Sequence, residues 1–407
     1  MTLVVKYRAA LAVLCVAGFY ANMFNYLFLT GRSSVHPVVW IAVIAGLTLA
    51  LTWDPQTWRT LLGSPVIWWC AGYIAMTVIW FMWSSQSATA VAEVMTRVAS
   101  MAFLGVMVVI LADPRVHGVT RIALAASAIL AVVLNVVDIL RPLTFSPLPG
   151  RAAGLYLNPN GSAISLALAM IMTLELFPQA FRPWYMCVIG MGVLLTSSRG
   201  GVLVWLLAAL MMVRLGAVRL LRMAYVLMML ASVGGAVLFL SGRLQPLLQV
   251  ASLVWSDASG RLRLGPTFTA YEVDPRFGDA VLAWNMFLER PVMGHGVAAT
   301  VEWDRFESTH NVYLRHLVEY GAGGLLIMPL LAVALLWPGS RPRPRSVVCL
   351  AAAGLLWGMF SHNILDEREF LLCVALAVAM SEAAKDAQRE PASPDWAPSP
   401  FEEATHG

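Results

Sequence analysis

Arg199 sits in the tight turn Ser197-Ser198-Arg199-Gly200-Gly201, directly ahead of a long apolar run. Arg151 and Asn158-Pro159-Asn160 precede a second such run, and His310-Asn311 opens a third. A cation at the N-terminus of a helix opposes the helix dipole and costs a few tenths to about 1 kcal/mol. The same guanidinium beside free backbone N–H groups makes an anion site, above all for phosphate. An arginine set against its own helix is better explained by a ligand than by stability. The alternative for Arg199 is an interfacial cation snorkelling to lipid phosphate. Asn158 reads as an N-cap with Pro159 at the first helical position, an element that shapes a site rather than reacts in it. A neutral His310 could take a proton from a hydroxyl, the work that histidine is tuned for near neutrality.

The elements that must position these groups include a polar insertion at about 242–316. Within it, Gly278 to Arg290 has the pattern of an amphipathic helix, with Ala280, Trp284, Phe287 and Leu288 on one face. Pro291 stops it, and Gly294-His295-Gly296 makes a turn in which His295 is structural. Arg276 falls at the start of that helix, again at the wrong end for the dipole. Arg261 and Arg263 share a face only if their segment is extended. His362-Asn363, with Asp366, Glu367 and Arg368 close behind, could line the same vestibule; the alternative is a solvated charge cluster.

The rest of the chain is apolar. Of 407 residues, 59% are hydrophobic and 12% charged, with mean hydropathy +0.73. Soluble domains carry about a quarter charged residues, so the composition is that of an integral membrane protein. Spans are expected at about 9–29, 36–52, 65–84, 97–113, 119–139, 161–178, 183–198, 200–214, 221–241, 317–337, 346–361 and 369–383. The expected fold is therefore all-α, with about twelve transmembrane helices. Helices 1–9 occupy 1–241, a mainly helical outer loop 242–316, helices 10–12 residues 317–383, and a disordered cytoplasmic tail 384–407. With both termini cytoplasmic, fourteen cations face inward, Lys6 and Arg8 among them, against six in short outer loops, among them Arg97. The insertion then faces the periplasm or cell exterior. The spans look almost free of ionisable groups, with Asp138 and Glu175 near span ends. All five cysteines fall in or beside spans, which argues against a disulfide framework or a cysteine metal site. Nothing suggests nucleic acid.

Five motifs in order carry a resemblance to a known family. They are Arg151-x-x-Gly154-x-x-x-Asn158-Pro159-Asn160, Ser198-Arg199-Gly200, Arg276 with Pro291-Val292-Met293-Gly294-His295-Gly296 fifteen residues on, His310-Asn311-x-Tyr313, and Glu319-x-Gly321. Together, over about 150–335, they resemble the O-antigen ligase and Wzy-type O-antigen polymerase superfamily. The resemblance implies a metal-independent, cofactor-free glycosyltransferase of GT-C type in the bacterial inner membrane. It would move a glycan from an undecaprenyl-diphosphate carrier to a sugar hydroxyl at the periplasmic face. The acceptor would be lipid A–core in a ligase or a carrier-linked glycan in a polymerase. By position, Arg199 and Arg276 would hold the diphosphate and His310 would act on the acceptor hydroxyl. Arg151 is a further diphosphate candidate, and Asn158, Asn160, Asn311 and Tyr313 would shape the site. The family often carries a bulky aromatic four residues after the loop arginine. Here Ala280 stands there with Trp284 one turn later, which keeps Arg261 and Arg263 as alternatives to Arg276.

The chemistry of the residues agrees with this expectation. Breaking a glycosyl–diphosphate bond develops negative charge on the leaving group, and losing one preorganised donor there typically costs about 2.7–4 kcal/mol. No cluster of carboxylates and histidines marks a divalent-metal site, which leaves guanidinium groups as electrophiles. Two other classes remain. A transporter or flippase would need ionisable groups deep in the membrane. A peptidoglycan polymerase of the shape-and-division type would use an outer-loop carboxylate, for which Asp257, Asp274, Asp279, Glu302 and Asp304 are available.

Overall fold

A computed structural model describes residues 2–148, 150–229, 275–303, 309–337 and 343–389. Among the described residues every regular element is helical and none is a strand. Five helices are long and apolar enough to cross a membrane: Leu3–Tyr20, Ala88–Leu111, Pro114–Leu140, Pro159–Leu176 and Val312–Leu336. Pro37–Trp53 and Pro55–Gly63 form a pair bent by 109° that would count as a sixth. Pro65–Phe81, Arg182–Leu195, Leu220–Met229 and Arg345–Trp357 are apolar but shorter.

The main helices are α1 (Leu3–Cys15), α2 (Met23–Leu29), α3 (Pro37–Thr48), α4 (Pro55–Gly63), α5 (Pro65–Phe81), α6 (Ala88–Leu111) and α7 (His117–Leu140). There follow α8 (Pro159–Thr173), α9 (Arg182–Leu195), α10 (Arg199–Arg214), α11 (Leu220–Met229), α12 (Pro275–Glu289), α13 (Val312–Tyr320), α14 (Ile327–Leu336), α15 (Arg345–Trp357) and α16 (Arg368–Arg389). α8 is the hub: every residue from Ser162 to Thr173 is buried, with α7, α9, α10, α15 and α16 around it. Ala163, Ala167 and Ala169 leave room for that many neighbours, the small-residue logic of membrane helix packing. α16 is buried likewise from Phe370 to Ala379 and packs along α6. The outer helices are apolar on their exposed sides as well, as at Ile122, Ile129 and Val133 of α7 and Leu203, Leu206 and Leu210 of α10. Helices that are hydrophobic all round belong in lipid or in a large core.

Several expected boundaries move. The first helix begins at Leu3, continues through a π turn at Val16–Tyr20, and breaks at Asn22, which is left-handed with φ 59°. Arg8 does not flank this span but lies inside it, fully buried. Its Nη2 donates to Asp54 at 2.9 Å and to Thr57 at 2.7 Å, and Nη1 donates to the Val109 carbonyl. Burial of a guanidinium needs such partners, and α4, unassigned from sequence, supplies two of them. Arg97 likewise leaves the outer-loop count, because α6 starts nine residues earlier at Ala88 and encloses it. One cation thus leaves each of the two expected counts. At the far end α16 runs on to Arg389, so the first six residues of the expected tail are helical. The insertion also ends early, at Val312 where α13 starts.

Candidate functional site

Three helix N-termini meet at one end of the bundle, and each is capped by its own side chain. Asn158 Oδ1 accepts from the Asn160 N–H at 2.9 Å, with Pro159 next to it at the first helical position. Ser198 Oγ accepts from the Gly201 N–H at 3.3 Å, and Asn311 Oδ1 from the N–H groups of Tyr313 and Leu314 at 2.9 and 3.2 Å. Two of these starts are tied together through Asn160. Its Oδ1 accepts from the Ser198 hydroxyl at 2.8 Å and from Arg151 Nη2 at 3.2 Å, while Arg151 Nε donates to the Thr196 carbonyl at 3.2 Å. The glycines of the turn allow the approach. A Cβ on Gly201 would lie 2.3 Å from that of Ala163 in α8, and one on Gly200 2.9 Å from Phe360.

Above these helix starts is a cavity of about 570 Å³ lined by Arg151, Asn160, Ser198, Arg199, Trp357 and Phe360. Arg199 is exposed at its rim and has no hydrogen-bond or ion-pair partner among the described residues. Backbone N–H groups and two guanidiniums thus converge on one open space, the composition of an anion site. Asn160, Trp357 and Phe360 also line a second cavity of about 480 Å³, which holds His310, His362 and the Asp366–Glu369 carboxylates. His310 further borders a 150 Å³ cavity with Ala280, Thr309, Asn311 and Phe360. Phe360 is therefore common to all three spaces.

The His310 and His362 rings stand 5.8 Å apart, edge to face. Burial first, then the charges of Arg315 and His310, push the His362 imidazole down to about 4, so it is neutral at physiological pH. Glu367 moves the other way. Burial raises its carboxyl to about 7, although Ser361 Oγ and Trp357 Nε1 donate to it at 2.9 and 3.1 Å. The vestibule reading of residues 362–368 thus stands on geometry, with His362, Asn363, Asp366, Glu367 and Arg368 all lining the His310 cavity.

Beneath this cavity lies a buried charge network. Arg97 Nη2 is 2.9 and 2.7 Å from the two oxygens of Glu319, and Nη1 donates to the Tyr320 hydroxyl. Arg315 donates to Glu93 and, at 3.3 Å, to Glu319; its Nη1 donates to the His362 carbonyl at 3.2 Å. These charges correct the expectation of nearly charge-free spans. Their signal was present as two opposite-charge pairs at helical spacing, Glu93/Arg97 and Arg315/Glu319.

Of the expected site residues, Arg151, Asn158, Asn160, Arg199, His310 and Asn311 come together at this end. Tyr313 stands behind them, its hydroxyl donating to the Leu355 carbonyl at 2.7 Å to dock α13 on α15. Arg276 lies in the first turn of α12, but its side chain is outside the described residues, as are Arg261 and Arg263 altogether. Ala280, four positions after Arg276, does line the small His310 cavity. The apolar face expected for α12 is mostly turned outward, with Trp284 and Leu288 exposed; Asp279 and Ala283 are buried on the side toward α13. His295 is a turn residue whose Nε2 meets the Met286 carbonyl at 2.7 Å. Of the loop carboxylates, Glu302 accepts from Ser85 at 2.9 Å and from Ser87, and Asp257, Asp274 and Asp304 lie outside the described residues.

The two remaining motifs form a backbone clamp. Gly294 and Gly296 have φ of 65° and 91°, and a Cβ on either would strike the end of α13 or Ser84. His295 and Gly296 N–H groups donate to the Val318 and Glu319 carbonyls at 2.8 and 3.0 Å, and Ala322 donates back to Pro291 at 2.7 Å. Compared with known proteins, the chain matches no family model and no curated protein.

Proposed function

We propose that the chain is a metal-independent glycosyltransferase of the O-antigen ligase and Wzy-type superfamily, with lipid A–core as acceptor. One observation carries this reading: a cavity with Arg151 and Arg199 at capped helix starts adjoins a cavity holding His310, across Asn160 and Phe360. An undecaprenyl-diphosphate donor would seat its phosphates in the first. The acceptor hydroxyl would meet His310 in the second. His310 takes the hydroxyl proton as the acceptor oxygen bonds to the anomeric carbon. The carbon–phosphate-oxygen bond breaks, its electron pair leaves with the diphosphate, and the guanidiniums hold the charge. Cofactors have no role in this scheme. The protein would sit in a bacterial inner membrane with about twelve spans, counting the shorter apolar helices and the remainder of 221–241. Both termini would be cytoplasmic and the cavities periplasmic, as the positive-inside bias supports.

The test is transfer by the purified, detergent-solubilised protein from an undecaprenyl-diphosphate glycan to core-only lipopolysaccharide. Product made without added metal and abolished by His310→Ala is the expected result; full activity in His310→Ala would sink the assignment. Transfer only onto a second carrier-linked glycan would make the protein a Wzy-type polymerase instead.

A transporter or flippase gains one observation, the buried Arg97, Arg315 and Glu319 with the half-buried Glu93. Each of these is engaged by an opposite charge, which suits a structural girder more than a moving ion relay. Carrier-linked glycan crossing liposomes that hold the pure protein, with no transfer product, would favour that class.

A further inference from the structure

The 480 Å³ cavity has a wall that the transfer scheme does not use. It is built where the first helix breaks, from Asn22 and Asn25 on either side of the α2 start, with His36 at the start of α3 and Thr96 on α6. A π turn followed by a left-handed residue departs from a regular helix, and π turns concentrate at functional sites. Each polar group on this wall has a spare hydrogen-bonding site. Asn22 spends Nδ2 on the Leu155 carbonyl at 3.0 Å, which leaves Oδ1 as an acceptor. His36 Nδ1 accepts from the Val38 N–H at 3.3 Å, which places the proton of a neutral ring on Nε2 as a donor. The Asn25 amide has no hydrogen-bond partner among the described residues and offers both.

The lining gives an anion little to hold. Asp366, Glu367 and Glu369 line it against one cation, Arg368, whose Nη1 is already held by the Ser100 hydroxyl at 2.8 Å and the Asp366 carbonyl at 2.6 Å. A diphosphate would find no uncommitted guanidinium here and is provided for next door, beside Arg151 and Arg199. Alternating donors and acceptors beside aromatic faces (Phe19, Tyr156 and Trp357) fit a ligand that is uncharged, hydroxyl-rich and partly apolar. The volume lies within the usual range for one small ligand, about 300–1,000 Å³.

We propose that Asn22, Asn25, His36 and Thr96 form a saccharide subsite that holds uncharged sugar rings of the acceptor against His310. This rests on the transferase reading for its role but not for its binding chemistry. The test measures binding first, by titrating oligosaccharide released from core-only lipopolysaccharide into the full-length protein in detergent. Asn25→Ala should weaken binding about tenfold, the loss of one or two hydrogen bonds, while Gly105→Ala, away from every cavity described, leaves it within twofold. In the transfer assay Asn25→Ala should raise the acceptor KM about tenfold and leave the donor KM unchanged. Wild-type binding without transfer would fail the transferase reading alone. Unchanged oligosaccharide binding in Asn25→Ala, or a rise confined to the donor KM, would overturn the subsite. Thr96→Val, on a different helix, gives the same readouts if Asn25→Ala is not monodisperse.

Discussion

Ser198 donates its hydroxyl to the side-chain oxygen of Asn160 across 2.8 Å, binding the turn before α10 to the first turn of α8. The same oxygen receives Arg151, so one amide sets the spacing of the helix starts beneath the cationic cavity. Asn160→Ala should therefore lower kcat/KM for the carrier-linked donor by about tenfold to a hundredfold, as expected when two donors lose one acceptor. Asn160→Asp should restore much of it, because the carboxylate accepts both bonds. Steady-state kinetics on the two variants decide the matter.

Gly201→Ala tests the same junction from the packing side. The added methyl would start 2.3 Å from Ala163 Cβ, and overpacking of this kind typically costs about 1–3 kcal/mol. The turn that carries Arg199 should be pushed off α8, with lower Tm and weaker donor binding. Gly105→Ala, within α6 and facing open space, should instead be neutral or stabilising by about 0.5–1 kcal/mol. A Gly201→Ala protein with unchanged melting and donor KM would contradict the close contact.

Arg97 and Glu319 are both buried, so removing either partner strands a charge. Arg97→Met or Glu319→Met should cost about 3–5 kcal/mol, read as a large fall in Tm in detergent. The double variant should recover part of that loss. Additive losses would mean that the pair is not coupled.

Glu367 and His362 give opposite pH slopes. A carboxyl raised to about 7 binds its proton in the folded state between about pH 4.5 and 7, where the unfolded chain has lost it, so its contribution falls as pH rises through that window. An imidazole lowered to about 4 stays unprotonated while the unfolded chain protonates below about 6.5, so its contribution falls as pH drops from 6.5 toward 4. Glu367→Gln should therefore gain Tm relative to wild type on going from pH 5 to 7.5. His362→Gln should gain it on going from pH 7 to 5. Parallel Tm–pH curves for wild type and variants would refute both shifts.

What could be read from the residues was local. The Asn158-Pro159 start, the Ser198 turn, the helix opened by His310-Asn311 and the helix stopped before Pro291 depend on neighbours within a few positions, and the structure shows each of them. The long-range pairings were not legible, because Arg97 meets Glu319 across 222 residues and Arg8 meets Asp54 only through the bend before α4. From sequence each arginine flanks a span, since a charge in an apolar run signals an edge until its partner is known. The same limit explains the N-terminal half of the site. Asn22, Asn25 and His36 carry no motif; a helix break and a fold bring them beside His310.

The clamp between Gly294–Gly296 and the end of α13 bears on how this architecture can be recombined. The strip from Pro291 to Gly296 shares its hydrogen bonds with Val318, Glu319 and Ala322, so the segment before α13 and that helix form one inheritable block. A chimaera that exchanges that segment alone, with a junction near residue 310, would mismatch backbone against backbone. Junctions placed beyond Ala322 keep the block whole, and under the proposed function only such grafts should carry acceptor preference from one protein to another.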